Sequence, residues 1–295
     1  MQILDGKLVS HSVKDQLKKK VADLRAKGKK APHLAAILVG SNGASETYVA
    51  GKVKDCEEVG FDSTLLRLDE KISEKNLIDH IALLNDNPAI DGILVQLPLP
   101  AHISDEMIIS SIHPDKDVDG FHPMSMGKMV NGLPTFIPAT PYGIMLMLEY
   151  YQIQTTGKRA VVIGRSHIVG TPMSILLSRN RPYGNCTVTL CHSRTHDLED
   201  ICREADILVS ALGKPEFVTA GMVKEGAVVI DVGITRIPDN SKKSGYRLTG
   251  DVKFDEVAPK CSFITPVPGG VGPMTRAALL KNTFNAAISQ KVGMN

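Results

Sequence analysis

The segment SETYVAGKVKDCEEVG, from Ser45 to Gly60, carries a tyrosine and a lysine four residues apart. On a helix, Tyr48 and Lys52 fall on one side. A phenol beside an ammonium is a proton-transfer pair in some NAD(P)-dependent reductases, and the same spacing also describes the wet edge of an amphipathic helix. As bare residues, Lys52 is a solvated helix position and Gln96, in DGILVQLPLP, is an amide satisfied inside a strand. Asp119, in DVDG, is a turn residue ahead of Gly120.

A second chemistry-bearing stretch follows the apolar run RAVVIG. In GRSHIVGTPMSILL, Gly164 ends the strand and Gly170 sits at or just inside a helix that Met173 to Leu177 continue. Strand, glycine-bearing turn and helix is the geometry in which backbone N–H groups and the helix dipole receive a phosphate. The spacing is Gly-x-Ser-x-x-x-Gly rather than Gly-x-Gly-x-x-Gly, so Gly164, Arg165, Ser166 and Ile168 are candidates for a nucleotide cofactor without meeting the full fingerprint. The next strand ends CHSRT, with Ser193 and Arg194 and no carboxylate before Asp197. An NAD site usually carries Asp or Glu there for the ribose diol. Two arginines and a serine in its place suit a ribose phosphate, which points to NADP. A third stretch, TPVPGGVGPMT (Thr265 to Thr275), interleaves prolines and glycines, stiffening some positions and letting a ligand approach others.

The elements that must position these residues alternate between two periods. LAAILVG, STLLRL and DGILVQLPLP read as buried strands, with the opening segment and SEKNLIDHIALLNDNP as helices between them. That series predicts a parallel sheet covered by helices. A Pro-punctuated connection, FIPATPYGIMLMLEYYQI, predicts a helix from about Pro141 to Tyr151 that Thr140 caps. A second series follows: RAVVIG, CTVTLCH, DILVSALG, AVVIDVG and SFITPV. The expected organisation is an α/β first domain over residues 1–139 and a Rossmann-like parallel-sheet domain over 140–272, flanking a cleft. A final helix, 273–292, is expected to pack back on the first domain.

Composition sets the outer bounds. A length of 295 residues suits two domains. A net charge of +2, with no like-charge run, gives no argument for nucleic acid. No window approaches the roughly 18 apolar residues of a membrane helix, and the N-terminal residues do not read as a secretory signal. Five scattered cysteines without Cys-x-x-Cys read as small buried hydrophobes in a reducing cytoplasm. Of the nine histidines only His192 and His196 stand at His-x-x-x-His spacing, with no Glu-x-x-His or Cys-x-x-Cys to complete a ligand set, and no metal is expected.

Six stretches together carry a family: YVAGKVKDCEEVG, DGILVQLPLP, DKDVDGFHP, PATPYGIMLML, GRSHIVGTPMSILL and ITPVPGGVGPMT. In order and spacing the chain resembles, from end to end, the bifunctional methylenetetrahydrofolate dehydrogenase/methenyltetrahydrofolate cyclohydrolases. The resemblance implies NADP-dependent oxidation of 5,10-methylenetetrahydrofolate, then hydrolysis to 10-formyltetrahydrofolate, by a cytoplasmic homodimer. Hydride loss from a carbon between two nitrogens needs no general base, whereas hydrolysis needs a group that gives and takes a proton. The resemblance assigns that group to Lys52, expected in the first two turns of its helix, near the positive end of the dipole. It makes Gln96 the partner that orients Lys52 and Tyr48 the platform for the folate rings. Asp119 becomes the acceptor for the pterin amine and ring nitrogen, with Ser45 in support. Pro268, Gly269, Gly270 and Val271 are implied to face folate, and Gly233, Ile234 and Thr275 to hold the nicotinamide end.

Two alternatives are weighed against this. In short-chain reductases the Tyr-x-x-x-Lys pair comes after the glycine loop; here Tyr48 precedes Gly164, which is the wrong order. An inactive NADP- or folate-binding module would have no need of Lys52, Gln96 and Asp119 together.

Overall fold

The computed structural model describes residues 1–242 and 245–288. Along the chain, β1 (Gln2–Ile3) leads into α1 (Gly6–Ala26), β2 (His33–Val39), α2 (Gly43–Val59), β3 (Asp62–Leu68), α3 (Glu74–Asp86) and β4 (Gly92–Val95). The short helices α4 (Asp105–Ser111) and α5 (Pro123–Val130) follow, then α6 (Ala139–Tyr150). The second half runs β5 (Arg159–Ile163), α7 (Gly170–Ser178), β6 (Thr187–Cys191), α8 (Leu198–Arg203), β7 (Ile207–Ser210) and β8 (Val228–Asp231). It ends with β9 (Thr235–Pro238), β10 (Tyr246–Thr249), α9 (Phe254–Val257), β11 (Phe263–Ile264) and α10 (Val271–Ala287).

The chain divides into two compact units. One comprises His11–Ala139 with the chain from Arg276 onward; the other comprises Met1–Ser10 with Thr140–Thr275. In the first, β3-β2-β4 form a parallel sheet with β2 at its centre. Every residue of β2 after His33 is buried, as a strand covered on both faces requires. α3 shows the matching helical logic: Leu77, Ile81 and Leu84 share its buried face, and the Ser73 side chain accepts the Asn76 N–H to start it. Those side chains join Ala35, Ile37, Ile93 and Ile108 in one apolar cluster.

In the second unit six strands lie in the order β1-β11-β8-β7-β5-β6, all paired in parallel. The strand order reverses at β5, which has β6 on one side and β7 on the other. Such a reversal opens a crevice at the carboxyl ends of the strands. The edge strand β6 is only partly buried, whereas β7 and β8 are buried throughout. Their apolar faces meet Cys191, Cys202, Val252 and Ile264 in a second core.

Several features depart from the sequence reading, among them the start of α6, which begins at Ala139 so that Thr140 lies inside the helix instead of capping it. Residues 1–10 belong with the Rossmann-like unit and not with residues 11–139, because β1 extends its sheet: Gln2 N–H donates to Ser262 O (2.7 Å) and Leu4 N–H to Ile264 O (2.8 Å). A two-residue strand carries no readable periodicity. The antiparallel hairpin β9–β10, also too short for a period, was not anticipated. The last helix begins at Val271 and its described part ends at Ala287, so residues 289–292 of the expected helix lie outside the described residues.

Candidate active site

Asn42 starts α2: its side-chain oxygen accepts the Ser45 N–H (3.2 Å) and its carbonyl the Glu46 N–H (2.9 Å). From Gly43, Lys52 falls in the third turn rather than in the first two. The field of a helix terminus fades within one turn, so the dipole effect expected at Lys52 is absent. What acts on Lys52 instead is burial, at 7% exposure, and one specific partner. Its Nζ donates to Gln96 Oε1 at 3.1 Å, and Gln96 Nε2 donates to Leu97 O at 2.6 Å, which turns the amide oxygen toward the lysine. The amide orients the Nζ through a neutral acceptor.

Ser45, Tyr48 and Lys52 stand at helical spacing on one face of α2. Ser45 is buried, Tyr48 is 37% exposed, and Val49 and Cys56 behind them are fully buried, with Val53 only partly so. Burial raises the Tyr48 phenol above its ordinary value, and the nearby Arg276 charge pulls it back.

Asp119 is aimed by a tight turn. Asp117, 1% exposed, accepts N–H groups from Phe121 (3.2 Å) and His122 (2.9 Å) and the Ser125 hydroxyl (2.8 Å). Gly120 N–H returns to Asp117 O (3.1 Å) at φ +76°, and a Cβ there would lie 2.6 Å from the backbone of Ile137 and Pro138. Only glycine fits. From α10, the buried Asn282 donates to Val118 O (2.8 Å) and Ile137 O (2.9 Å) and ties this turn down from behind. Desolvation raises the Asp119 carboxyl, with the Lys52 charge opposing it. The turn thus presents a carboxylate within the field of a buried lysine.

In the other unit, Gly164 has φ +113°, and a side chain there would strike Ala211 O at the end of β7. A Cβ at Gly170 would strike the backbone of Gly164 and Arg165, so the two glycines let the turn fold onto the start of α7. Ser166 Oγ accepts the Val169 N–H (3.1 Å) inside the turn. Arg165, Ser166 and Ile168 are exposed, as are Ser193 and Arg194. Since Ile163 pairs with Cys191, the two exposed sets leave neighbouring strand ends.

Ile234, Pro268, Gly269, Gly270 and Val271 line one pocket of about 140 Å³, joined by Lys7 and Asp231. Gly233 donates to Asp231 Oδ1 (2.9 Å), and the Thr275 hydroxyl meets that of Thr140 (3.0 Å).

Two family models divide the sequence. The tetrahydrofolate dehydrogenase/cyclohydrolase catalytic domain matches residues 4–119, and the NAD(P)-binding domain of the same enzymes matches residues 138–291. The chain belongs to the tetrahydrofolate dehydrogenase/cyclohydrolase family. It is 63% identical to the bifunctional protein FolD of Cytophaga hutchinsonii, over 97% of this chain and 99% of the relative. Against that of Bacteroides fragilis it is 58% identical, over 97% and 98%. The Campylobacter jejuni FolD methylenetetrahydrofolate dehydrogenase/cyclohydrolase superposes with a TM-score of 0.92 at 48% identity, covering 98% of this chain and 99% of that one. The Trypanosoma brucei enzyme, solved with NADP and an inhibitor, gives 0.91 at 39% identity over 97% and 96%.

Within this tetrahydrofolate dehydrogenase/cyclohydrolase the residues fit a nicotinamide dinucleotide. The turn at Gly164–Gly170 is a cradle that side chains would fill, and the exposed donors at Arg165, Ser193 and Arg194 match a phosphate better than a diol. Sequence reasoning missed the groups that hold the site rather than form it. Asp117 was visible only as the first acid of DVDG, and Asn282 and Arg276 gave no signal. Asp231 and Asp251 were likewise missed. Asp231 accepts N–H groups from Gly233, Asp251 and Val252, each at 2.9 Å, and Asp251 accepts those of Leu212, Gly213 and Lys214. This pair of buried carboxylates pins the loops after β7 and β8. Desolvation, partly offset by those hydrogen bonds, raises Asp231 to about 6.

Proposed function

We infer that this chain oxidises 5,10-methylenetetrahydrofolate with NADP and hydrolyses the resulting 5,10-methenyl cation to 10-formyltetrahydrofolate. The observation that carries the reading is the buried Lys52 bonded to Gln96, with Asp119 close enough to feel its charge. When bound, NADP supplies the hydride acceptor. Gly164, Arg165, Ser166, Ile168, Ser193 and Arg194 hold its phosphates, and Gly233, Ile234 and Thr275 hold the nicotinamide end.

For the oxidation the residues have only to orient the folate. Tyr48 offers its ring as a platform, Asp119 accepts from the pterin amine and ring nitrogen, and Ser45 supports that cluster. Pro268, Gly269, Gly270 and Val271 offer backbone to the same ligand. Hydrolysis asks more. Water adds to the methenyl carbon, forming a C–O bond and surrendering a proton to Lys52 Nζ. Lys52 then delivers a proton to N5 as the C–N5 bond breaks, leaving the formyl group on N10 and releasing one net proton. Gln96 holds the Nζ at the point of attack.

Assembly as a homodimer and residence in the cytoplasm complete this reading. The five cysteines are free and buried, as suits a reducing compartment. No helix among the described residues is long and apolar enough to cross a membrane. The test is to supply methylenetetrahydrofolate with NADP or NAD and follow NADPH formation and methenyl decay. Folded protein that forms no NADPH would overturn the reading.

A further inference from the structure

Arg276 has no part in the chemistry just described, yet it is built against the Tyr48 face of α2. Its Nε stands 3.2 Å from Asp55 Oδ2, and Asp55 is 4% exposed. Lys14 takes the other Asp55 oxygen at 2.9 Å and Glu58 at 2.7 Å, so the two carboxylates are balanced by two cations. The guanidinium Nη1 fills the space that a Cβ at residue 51 would need. Gly51 is therefore a notch, three residues after Tyr48 and four before Asp55. One end of the Arg276 head is anchored at Asp55, its charge reaches the Tyr48 phenol, and about a third of the side chain stays exposed.

We propose that Arg276 binds a carboxylate of the glutamate tail of the folate substrate. The assignment rests on Tyr48 being the platform for the folate rings. In a folate the p-aminobenzoate ring is followed directly by glutamate. With that ring over Tyr48, the first tail carboxylate lies about one amide further on, matching the roughly 5–6 Å between positions i and i+3 of a helix. That is where the Gly51 notch holds the guanidinium. A guanidinium paired with Asp55 through its Nε and seated in the Gly51 notch offers N–H groups to a carboxylate at little further entropic cost. Asp55 is then a positioning residue, and Arg276 a specificity residue that reads the tail instead of the reacting ring.

The test measures binding by calorimetry of tetrahydrofolate, its polyglutamate form and tetrahydropteroate, which lacks the glutamate. Arg276→Gln should weaken both glutamate-bearing ligands about tenfold, the scale of one partly exposed charge-assisted contact. It should leave tetrahydropteroate unchanged, and Arg276→Lys should fall between. Equal weakening of all three ligands, or of none, overturns the proposal. Should Arg276→Gln fail to fold, the wild-type protein decides: it should prefer tetrahydrofolate to tetrahydropteroate about tenfold, less so in 1 M salt, and no preference overturns the proposal. Because the readout is binding, it stands apart from turnover. Tail-dependent binding without NADPH formation would defeat only the activity, and turnover without tail dependence only this assignment.

Discussion

Replacing Asp117 tests whether the turn beneath Asp119 is held by one buried carboxylate. That carboxylate accepts Phe121 N–H at 3.2 Å, His122 N–H at 2.9 Å and Ser125 Oγ at 2.8 Å. Asp117→Ala leaves all three donors unserved. The serine hydroxyl can rotate to another acceptor, so the two backbone N–H groups dominate. Each buried donor left unsatisfied costs about 1–3 kcal/mol. Against this stands the relief of no longer burying a charge, since desolvation holds this carboxyl above its ordinary value. The balance is a loss of about 2–4 kcal/mol, within the roughly 5–15 kcal/mol that keeps a domain folded. Asp117→Asn keeps one acceptor. With its oxygen at the Oδ2 position it still serves His122 and Ser125 but turns an NH₂ toward the Phe121 N–H, for about half the loss. Urea unfolding followed by circular dichroism measures both variants. In the folded fraction the KM for folate should rise, because the turn no longer aims Asp119, while the KM for NADP should stay put. Stability within about 0.5 kcal/mol of wild type for Asp117→Ala, the scatter expected of surface changes, would refute this reasoning.

Three further outcomes follow from the same geometry. Lys52→Met, which fills the buried slot with a similar apolar volume, should abolish methenyl hydrolysis and leave part of the NADP-linked oxidation; equal loss of both would contradict the division of labour. Arg165→Ala should raise the KM for NADP at least tenfold more than that for NAD, about 1.4 kcal/mol of lost phosphate contact, measured by initial rates with each cofactor. Asp231 rises from 3.8 in the unfolded chain to about 6 in the folded one. Its contribution is therefore fully present below pH 4 and is lost as the pH climbs through 6, a span of about 3 kcal/mol at 1.36 kcal/mol per unit. Urea midpoints at several pH values should show a slope between pH 4 and 6 that Asp231→Asn flattens, and an unchanged slope would count against it.

Much of the architecture was legible in local patterns. Continuous apolar runs, set between helical stretches, announce two parallel sheets because burial on both faces demands such runs. The missing acid after β6 signals the cofactor type because the ribose contact comes from that one strand end. What no local pattern held was the company each residue keeps. Gln96 is 44 residues from Lys52, and Asn282 is 164 from Val118, yet each pair is in hydrogen-bond contact. The position of Lys52 in the third turn of α2 depended on where Asn42 capped the helix. Periodicity reports which face of an element is buried, and says nothing about which distant group meets it there. The candidates Lys52, Gln96 and Asp119 stood out through the family resemblance of the chain, since each alone reads as an ordinary helix, strand or turn residue. The partners that hold Lys52, Asp119 and Arg276 in place were decided only when the unit that contains them folded and brought separate elements to the same few ångströms.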